Sequence, residues 1–257
     1  MAGVSDYRLY DDLAGWWPLI SPVEEYTADA AILRAVFDSA PAPVRTILDL
    51  GSGGGHVAWH LKAQHLKAQH QLTLVDISAA MLAVSRELNP ECEHIQGDML
   101  TLRLGREFDG VLVHDAVDYV TTEADLQRVA RTAYAHCRPG GIAVFAPDHT
   151  AEGFRAGTGG GGGTGDTGRQ ASFRERRSDP DPADEWIEID YEFTLRTPDG
   201  RVDVVRESHR LGAFRESTWL RVLAAAGFDP GRGNVASDYV GTSTGHGLRN
   251  LYVARRP

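Results

Sequence analysis

The stretch Thr46–Asp76, TILDLGSGGGHVAWHLKAQHLKAQHQLTLVD, decides the fold. Thr46–Leu50 reads as a strand and Gly51, Gly53, Gly54 and Gly55 as a turn; a helix follows, and Leu72–Val75 is a second strand that stops on Asp76. Strand, glycine turn, helix and strand make half of a nucleotide-binding α/β fold. The glycines bring backbone N–H groups close to a ligand, and the start of the helix adds partial positive charge. A carboxylate at the tip of the second strand can accept both hydroxyls of a ribose. A dinucleotide GxGxxG fingerprint opened on Gly51 would need its third glycine where His56 stands, which argues against that nucleotide class.

Outward from this stretch, 257 residues suit one α/β domain with an elaboration. At 42% hydrophobic and 24% charged the composition is that of a globular protein, and no apolar run approaches the length of a membrane span. The opening MAGVSDYRLYDDL lacks the basic start and apolar centre of a signal peptide, so the cytoplasm is the expected location. A formal charge of −10 without clustered Lys and Arg argues against nucleic acid, since the run Arg174–Arg177 is broken by Glu175. Cys92 and Cys137 lie far apart with no metal-ligand spacing and read as reduced thiols. His60, His65 and His70 recur in the tandem HLKAQ units at a spacing that puts them on different helix faces, so no metal is expected.

The remaining motifs fall in a telling order. Asp49 precedes the glycines as D-L-G-S-G-G-G, and Asp76 is followed by Ile77 and a helix carrying Met81. A short strand, Glu93–Gln96, ends in Gly97-Asp98-Met99. The strand Phe108–His114 runs into Asp115-Ala-Val-Asp118-Tyr119, and a helix, a CRPGG turn and the strand Ile142–Ala146 come next. Together these pieces resemble the class I S-adenosylmethionine (SAM)-dependent methyltransferases. The resemblance implies SAM as cofactor and a doubly wound, seven-stranded Rossmann-like sheet of order 3-2-1-4-5-7-6. It implies that Asp49 reaches the ammonium side of the cofactor and that Gly51, Ser52, Gly53 and Gly55 pass its methionine part. Asp76 would take the ribose and Ile77 the adenine face, with Met81 on the next helix a further cofactor contact; Gly97, Asp98 and Met99 would read the adenine edge, and His114 would lie near the sulfonium.

Residues 1–40 are expected to form a cap, with a helix from about Pro22 to Ser39 on the spacing of Ala28, Ala31, Ile32, Ala35 and Val36. Its aromatics, Tyr10, Trp16, Trp17 and Tyr26, either pack that helix on the sheet or wall an acceptor pocket. Residues 41–150 are the SAM-binding core, and 151–185, with consecutive glycines at 159–163, are expected to be a flexible loop, a lid or a tether. In 186–213, Ile187, Ile189, Tyr191, Phe193 and Leu195 alternate with polar residues, predicting an antiparallel hairpin over the acceptor site or at a homodimer interface. Residues 214–257 complete the core with a helix over about Glu216–Ala226, a strand entered at Gly227-Phe228 and a last strand, Asn250–Ala254.

The hairpin, the ESHR run and that last helix resemble, more narrowly, bacterial N,N-dimethyltransferases acting on amino sugars of antibiotic pathways. This implies a small-molecule acceptor methylated at N or O. Trp16, Tyr26, Asp115, Tyr119 and His209 are the expected acceptor contacts and His114 the candidate base. A noncatalytic SAM-binding module remains an alternative, which a blocked or apolar acceptor cavity would mark. A nicotinamide-dependent oxidoreductase is disfavoured by His56.

Overall fold

The computed structural model describes residues 7–63, 70–239 and 249–257. The second HLKAQ unit, with His65, lies outside the described residues. Helical turns at Arg8–Tyr10 and Ala14–Trp16 lead into α1 (Trp17–Ile20), and a turn at Val23–Tyr26 leads into α2 (Thr27–Asp38). Strands and helices then alternate: β1 (Thr46–Leu50), α3 (His56–Ala63), β2 (Gln71–Asp76), α4 (Ala79–Leu88), β3 (Glu93–Gln96), β4 (Phe108–His114), α5 (Glu123–His136) and β5 (Cys137–Ala146). Four strands follow, β6 (Gly157–Thr164), β7 (Gln170–Ser178), β8 (Trp186–Arg196) and β9 (Val202–Gly212), before α6 (Glu216–Ala226), α7 (Ala236–Tyr239) and β10 (Tyr252–Arg255).

The first sheet has the order β10-β5-β4-β1-β2-β3, parallel except where β10 runs antiparallel to β5. Helices cover both faces, so the central strands are apolar runs rather than alternating ones. In β4, Val111 and Val113 join the core beneath α5 and α6, with Leu126, Val129 and Trp219, while Leu112 points to the core beneath α2 and α3, with Leu33, Phe37 and Leu61. Two helix starts are fixed by hydroxyl caps, Ser78 accepting from Met81 N–H at 3.0 Å and Thr122 from Asp125 N–H at 3.2 Å. These caps aim the chain back across the carboxyl edge of the sheet, where ligands bind in such folds.

Two expectations are corrected. The expected sixth strand is reduced to two isolated bridges, Asp229 with Arg255 and Asn234 with Tyr252. Pro230 offers no N–H, and Gly231 and Gly233 take φ +61° and +93°, which bends the backbone out of extended geometry. The glycine-rich segment expected as a loop holds a strand: β6 pairs antiparallel with β7 from Gly157 opposite Arg177 to Thr164 opposite Gln170. Backbone hydrogen bonds hold it without any side-chain pattern, and Leu19 of α1 lies against Gly163 and Gly165. The expected hairpin, β8 and β9, is thus one half of a four-stranded sheet, β6-β7-β8-β9, with β9 at its edge. Its apolar face, with Phe193, Leu195 and Val205, packs on Leu9, Leu13 and Ile20 of the N-terminal segment. Cys92 and Cys137 are free, and among the described residues no helix is long and apolar enough to cross a membrane.

Candidate active site

A cavity of about 960 Å³ opens between the carboxyl edge of the first sheet, the N-terminal segment and the second sheet. Of the expected cofactor contacts, Asp49, Gly51, Ser52, Gly53, Asp76, Ile77, Met81, Gly97, Asp98, Met99 and His114 all border it. Gly55 does not: it lies against α4, its carbonyl accepting from Asn89 Nδ2 at 3.0 Å, and a Cβ there would sit 2.3 Å from Ser85 Oγ. Its place in the motif is therefore a packing requirement.

The glycine turn is tied to the second strand. Gly51 and Ser52 N–H both donate to Val75 carbonyl, at 2.7 and 2.9 Å. Gly51 has φ +84°, and a Cβ on it would meet Ala116 Cβ at 2.3 Å, so only glycine fits. Asp76 accepts Gly53 N–H and Ser78 N–H on its two oxygens, each at 2.8 Å. Each oxygen keeps a free lone-pair direction, which is what a pair of ribose hydroxyls needs. Asp98 likewise spends one oxygen on Leu100 N–H at 2.7 Å and keeps the other. Asp49 is 3% exposed and its Oδ1 has no partner. Burial, with the Asp76 and Asp115 charges, pushes it up to about 7 against the pull of His114. A buried carboxylate oxygen without a donor is costly unless a ligand supplies one. These residues fit SAM.

The other half of the cavity is lined by Tyr10, Trp17, Tyr26, Asp115, Asp118, Tyr119, Asp148 and His149. Asp115 has φ +29°, the only positive φ at a non-glycine among the described residues, where β4 turns into the helical turn Ala116–Tyr119. Tyr10 and Tyr119 hydroxyls hydrogen-bond at 2.6 Å; Tyr119 also meets His209 Nδ1 at 2.9 Å, and His209 Nε2 meets Glu207 at 3.1 Å. Glu207 in turn accepts Arg8 N–H at 2.6 Å, tying the second sheet to the N-terminal segment. His209 is fully buried behind Tyr119 and does not reach the cavity, so its expected acceptor contact is corrected to support of Tyr119. Trp16 is also outside, beneath the Arg169 guanidinium at 3.8 Å; its neighbour Trp17 lines the cavity against Gly54.

His114 is buried with Nε2 3.0 Å from Asp115 and 3.9 Å from Asp29. Burial alone would lower it; the carboxylates of Asp115, Asp148 and Asp29 outweigh that and push it up to about 9. An imidazole protonated through the neutral range is a counter-charge for these acids, not a ready base. The sequence reading missed Asp148 and His149, which follow the carboxyl end of β5, a position that itself marks ligand contacts in open α/β sheets.

Residues 47–141 match the methyltransferase domain family. With the fold, the glycine turn and the acids that flank it, this match marks that stretch as a methyltransferase domain whose residues fit SAM. The chain is 29% identical over 210 residues to dTDP-3-amino-3,6-dideoxy-alpha-D-glucopyranose N,N-dimethyltransferase of Streptomyces fradiae, covering 79% of this chain and 78% of that one. In fold it is similar to the sugar N-methyltransferase KedS8 from a Streptoalloteichus species, with a TM-score of 0.78, 24% identity, and 100% of this chain and 98% of that one covered. It is also similar to DesVI of Streptomyces venezuelae, at TM-score 0.75 and 22% identity, over 91% of this chain and 92% of that one.

Proposed function

We propose that this enzyme methylates the amino nitrogen of a small amino sugar carried on a nucleotide, and that it does so in the cytoplasm. The observation that carries this reading is the acidity of the acceptor half: Asp29, Asp115, Asp118 and Asp148 all border the cavity there. A set of carboxylates suits an acceptor that arrives as an ammonium far better than a neutral phenol. The Streptomyces fradiae relative, which bears the name of an amino-sugar N,N-dimethyltransferase, supports the same class. Arg155 and Arg249, exposed on the cavity wall, offer positive charge for a diphosphate. A cavity that is not blocked and carries the polar side chains of Asp115, Asp118 and Asp148 also speaks against a noncatalytic module.

In this reading Asp76 holds the ribose, Asp98 and the Met99 backbone take the adenine edge, and Ile77 and Met81 pack on the ring. Asp49 receives the ammonium end, with the turn at Gly51–Gly53 alongside. SAM supplies a methyl carbon on a sulfonium that already carries the reactivity. The chain's own contribution is alignment: Tyr119, fixed by His209, and Tyr10 and Tyr26 hold the sugar, while the second sheet shuts out bulk water.

The test is incubation with SAM and a panel of nucleotide-linked amino sugars, matched hydroxy sugars and catechols, read by mass spectrometry. Gain of one or two methyl groups on the amino sugars alone is expected. Methylation confined to hydroxyl acceptors would overturn the reading.

A further inference from the structure

Methylation of an amine leaves one proton unassigned, because an ammonium has no lone pair with which to attack. The inference here rests on the N-methylation reading above and concerns the group that takes that proton.

Asp118 sits on the turn after β4 and His149 on the loop after β5, so the two meet across the carboxyl edge of neighbouring strands. Asp118 is 3% exposed. Its Oδ2 accepts both the His149 backbone N–H, at 3.1 Å, and His149 Nδ1–H, at 2.8 Å. A carboxylate bonded to Nδ1–H fixes the tautomer and leaves the lone pair on Nε2. Nε2 has no hydrogen-bond partner among the described residues, and His149 borders the cavity. Asp118 Oδ1 is buried without a partner, and Asp148 borders the cavity beside it, so the pocket has acceptors waiting for a donor-bearing ligand.

We propose that His149, held by Asp118, is the general base that deprotonates the acceptor ammonium, and that Asp148 seats that ammonium. The Nε2 lone pair forms a bond to one ammonium proton. The broken N–H bond leaves its electron pair on the acceptor nitrogen, which is then free to take the methyl group. The imidazolium is balanced by Asp118 and gives its proton to water at the cavity mouth; the methylammonium product repeats the cycle if a second methyl follows.

The charged groups that act on His149 are Asp118 on the turn after β4, Asp148 on its own loop and Arg177 on β7, while Asp115 and His114 border the same cavity. Burial lowers His149 and Arg177 adds to that, but the Asp118 hydrogen bond and the Asp118 and Asp148 charges prevail and raise it. The rise strengthens Nε2 as a proton acceptor, and unlike His114, whose Nε2 lies 3.0 Å from Asp115, His149 keeps that nitrogen without a hydrogen-bond partner among the described residues. Asp118, Asp148 and His149 also lie close enough to suggest a cation site, with donor atoms all within 4.8 Å of one another. His149 Nδ1 is already engaged with Asp118, however, and a metal there would have to displace that proton.

His149→Gln is the test, assayed with an amino-sugar acceptor from pH 6.5 to about 10, where amines lose their protons unaided. The expected result is a rate about 100-fold lower than wild type near pH 7, with the deficit shrinking as solvent does the work of the base. A variant as fast as wild type near pH 7, or a deficit that stays constant with pH, would overturn the proposal. So would loss of wild-type activity in EDTA with recovery on adding Mn²⁺, which would make the cluster a metal site. Should the variant not fold, ¹⁵N NMR of histidine-labelled wild type decides: the Nδ1–H tautomer of neutral His149 is expected, and the Nε2–H tautomer refutes it. If wild type methylates no amine, the N-methylation reading has failed instead, and the tautomer still decides the dyad.

Discussion

Asp76→Ala removes the carboxylate on which both the turn and the cofactor site depend. Two backbone N–H groups, of Gly53 and Ser78, donate to it at 2.8 Å. Hydrogen bonds to a charged acceptor are worth about 1.5–3 kcal/mol each. Burial raises the Asp76 pKa, so the folded protein holds this charge at a cost, and the loss in stability falls at the low end, about 2–3 kcal/mol in all. Binding loses more, because the two ribose hydroxyls would donate to the same oxygens. Losing two such bonds, about 3–6 kcal/mol, weakens affinity about 100- to 10,000-fold at about 1.4 kcal/mol per decade. Isothermal calorimetry with S-adenosylhomocysteine measures this, with thermal unfolding run alongside to show that the variant is folded. A folded variant that binds within about threefold of wild type, a difference of only about 0.7 kcal/mol, would refute the placement of the ribose on Asp76.

Gly51→Ala forces a side chain into φ +84° and against Ala116 Cβ at 2.3 Å; a loss of about 2–4 kcal/mol is expected in urea titrations, together with weakened SAM binding. His209→Ala leaves Glu207 and the Tyr119 hydroxyl without a shared partner and should cost about 2–4 kcal/mol. Because His209 lies outside the cavity, S-adenosylhomocysteine affinity should hold while the acceptor KM rises. Asp109 carries a pH signature: burial raises it, but Arg138 Nε at 2.6 Å and the N–H groups of Arg45 and Thr46 outweigh burial and hold it at about 2. A carboxyl depressed in the folded state stabilises above its unfolded pKa and loses that contribution as pH falls through the folded one. Wild type should therefore lose about 2 kcal/mol between pH 5 and about 2 that Asp109→Asn does not lose.

The nucleotide-binding half was legible because its parallel strands are buried on both faces and so appear as apolar runs bounded by glycines and acids. β1, β3 and β4 begin and end where the sequence placed them, and β2 differs by one residue at each end. β6 was not legible, since a glycine strand held by backbone hydrogen bonds leaves no periodic trace. The acceptor side was legible only in part. The alternation that identified β8 could not say that His209, paired with Ile189, would face inward behind Tyr119. Trp16 and Trp17 are adjacent in sequence, yet a helical turn sends one beneath Arg169 and the other into the cavity. The bond between Asp118 and His149 joins positions just past the ends of two neighbouring strands, a pairing that only the sheet order creates.

The central claim, a SAM pocket on the carboxyl edge of the sheet, is tested most directly by titrating the wild-type protein with S-adenosylhomocysteine and, separately, with NADH in the calorimeter. The account predicts saturable one-to-one binding of S-adenosylhomocysteine, in competition with SAM, and no heat from NADH. Saturable binding of NADH with none of the adenosyl ligands would contradict it.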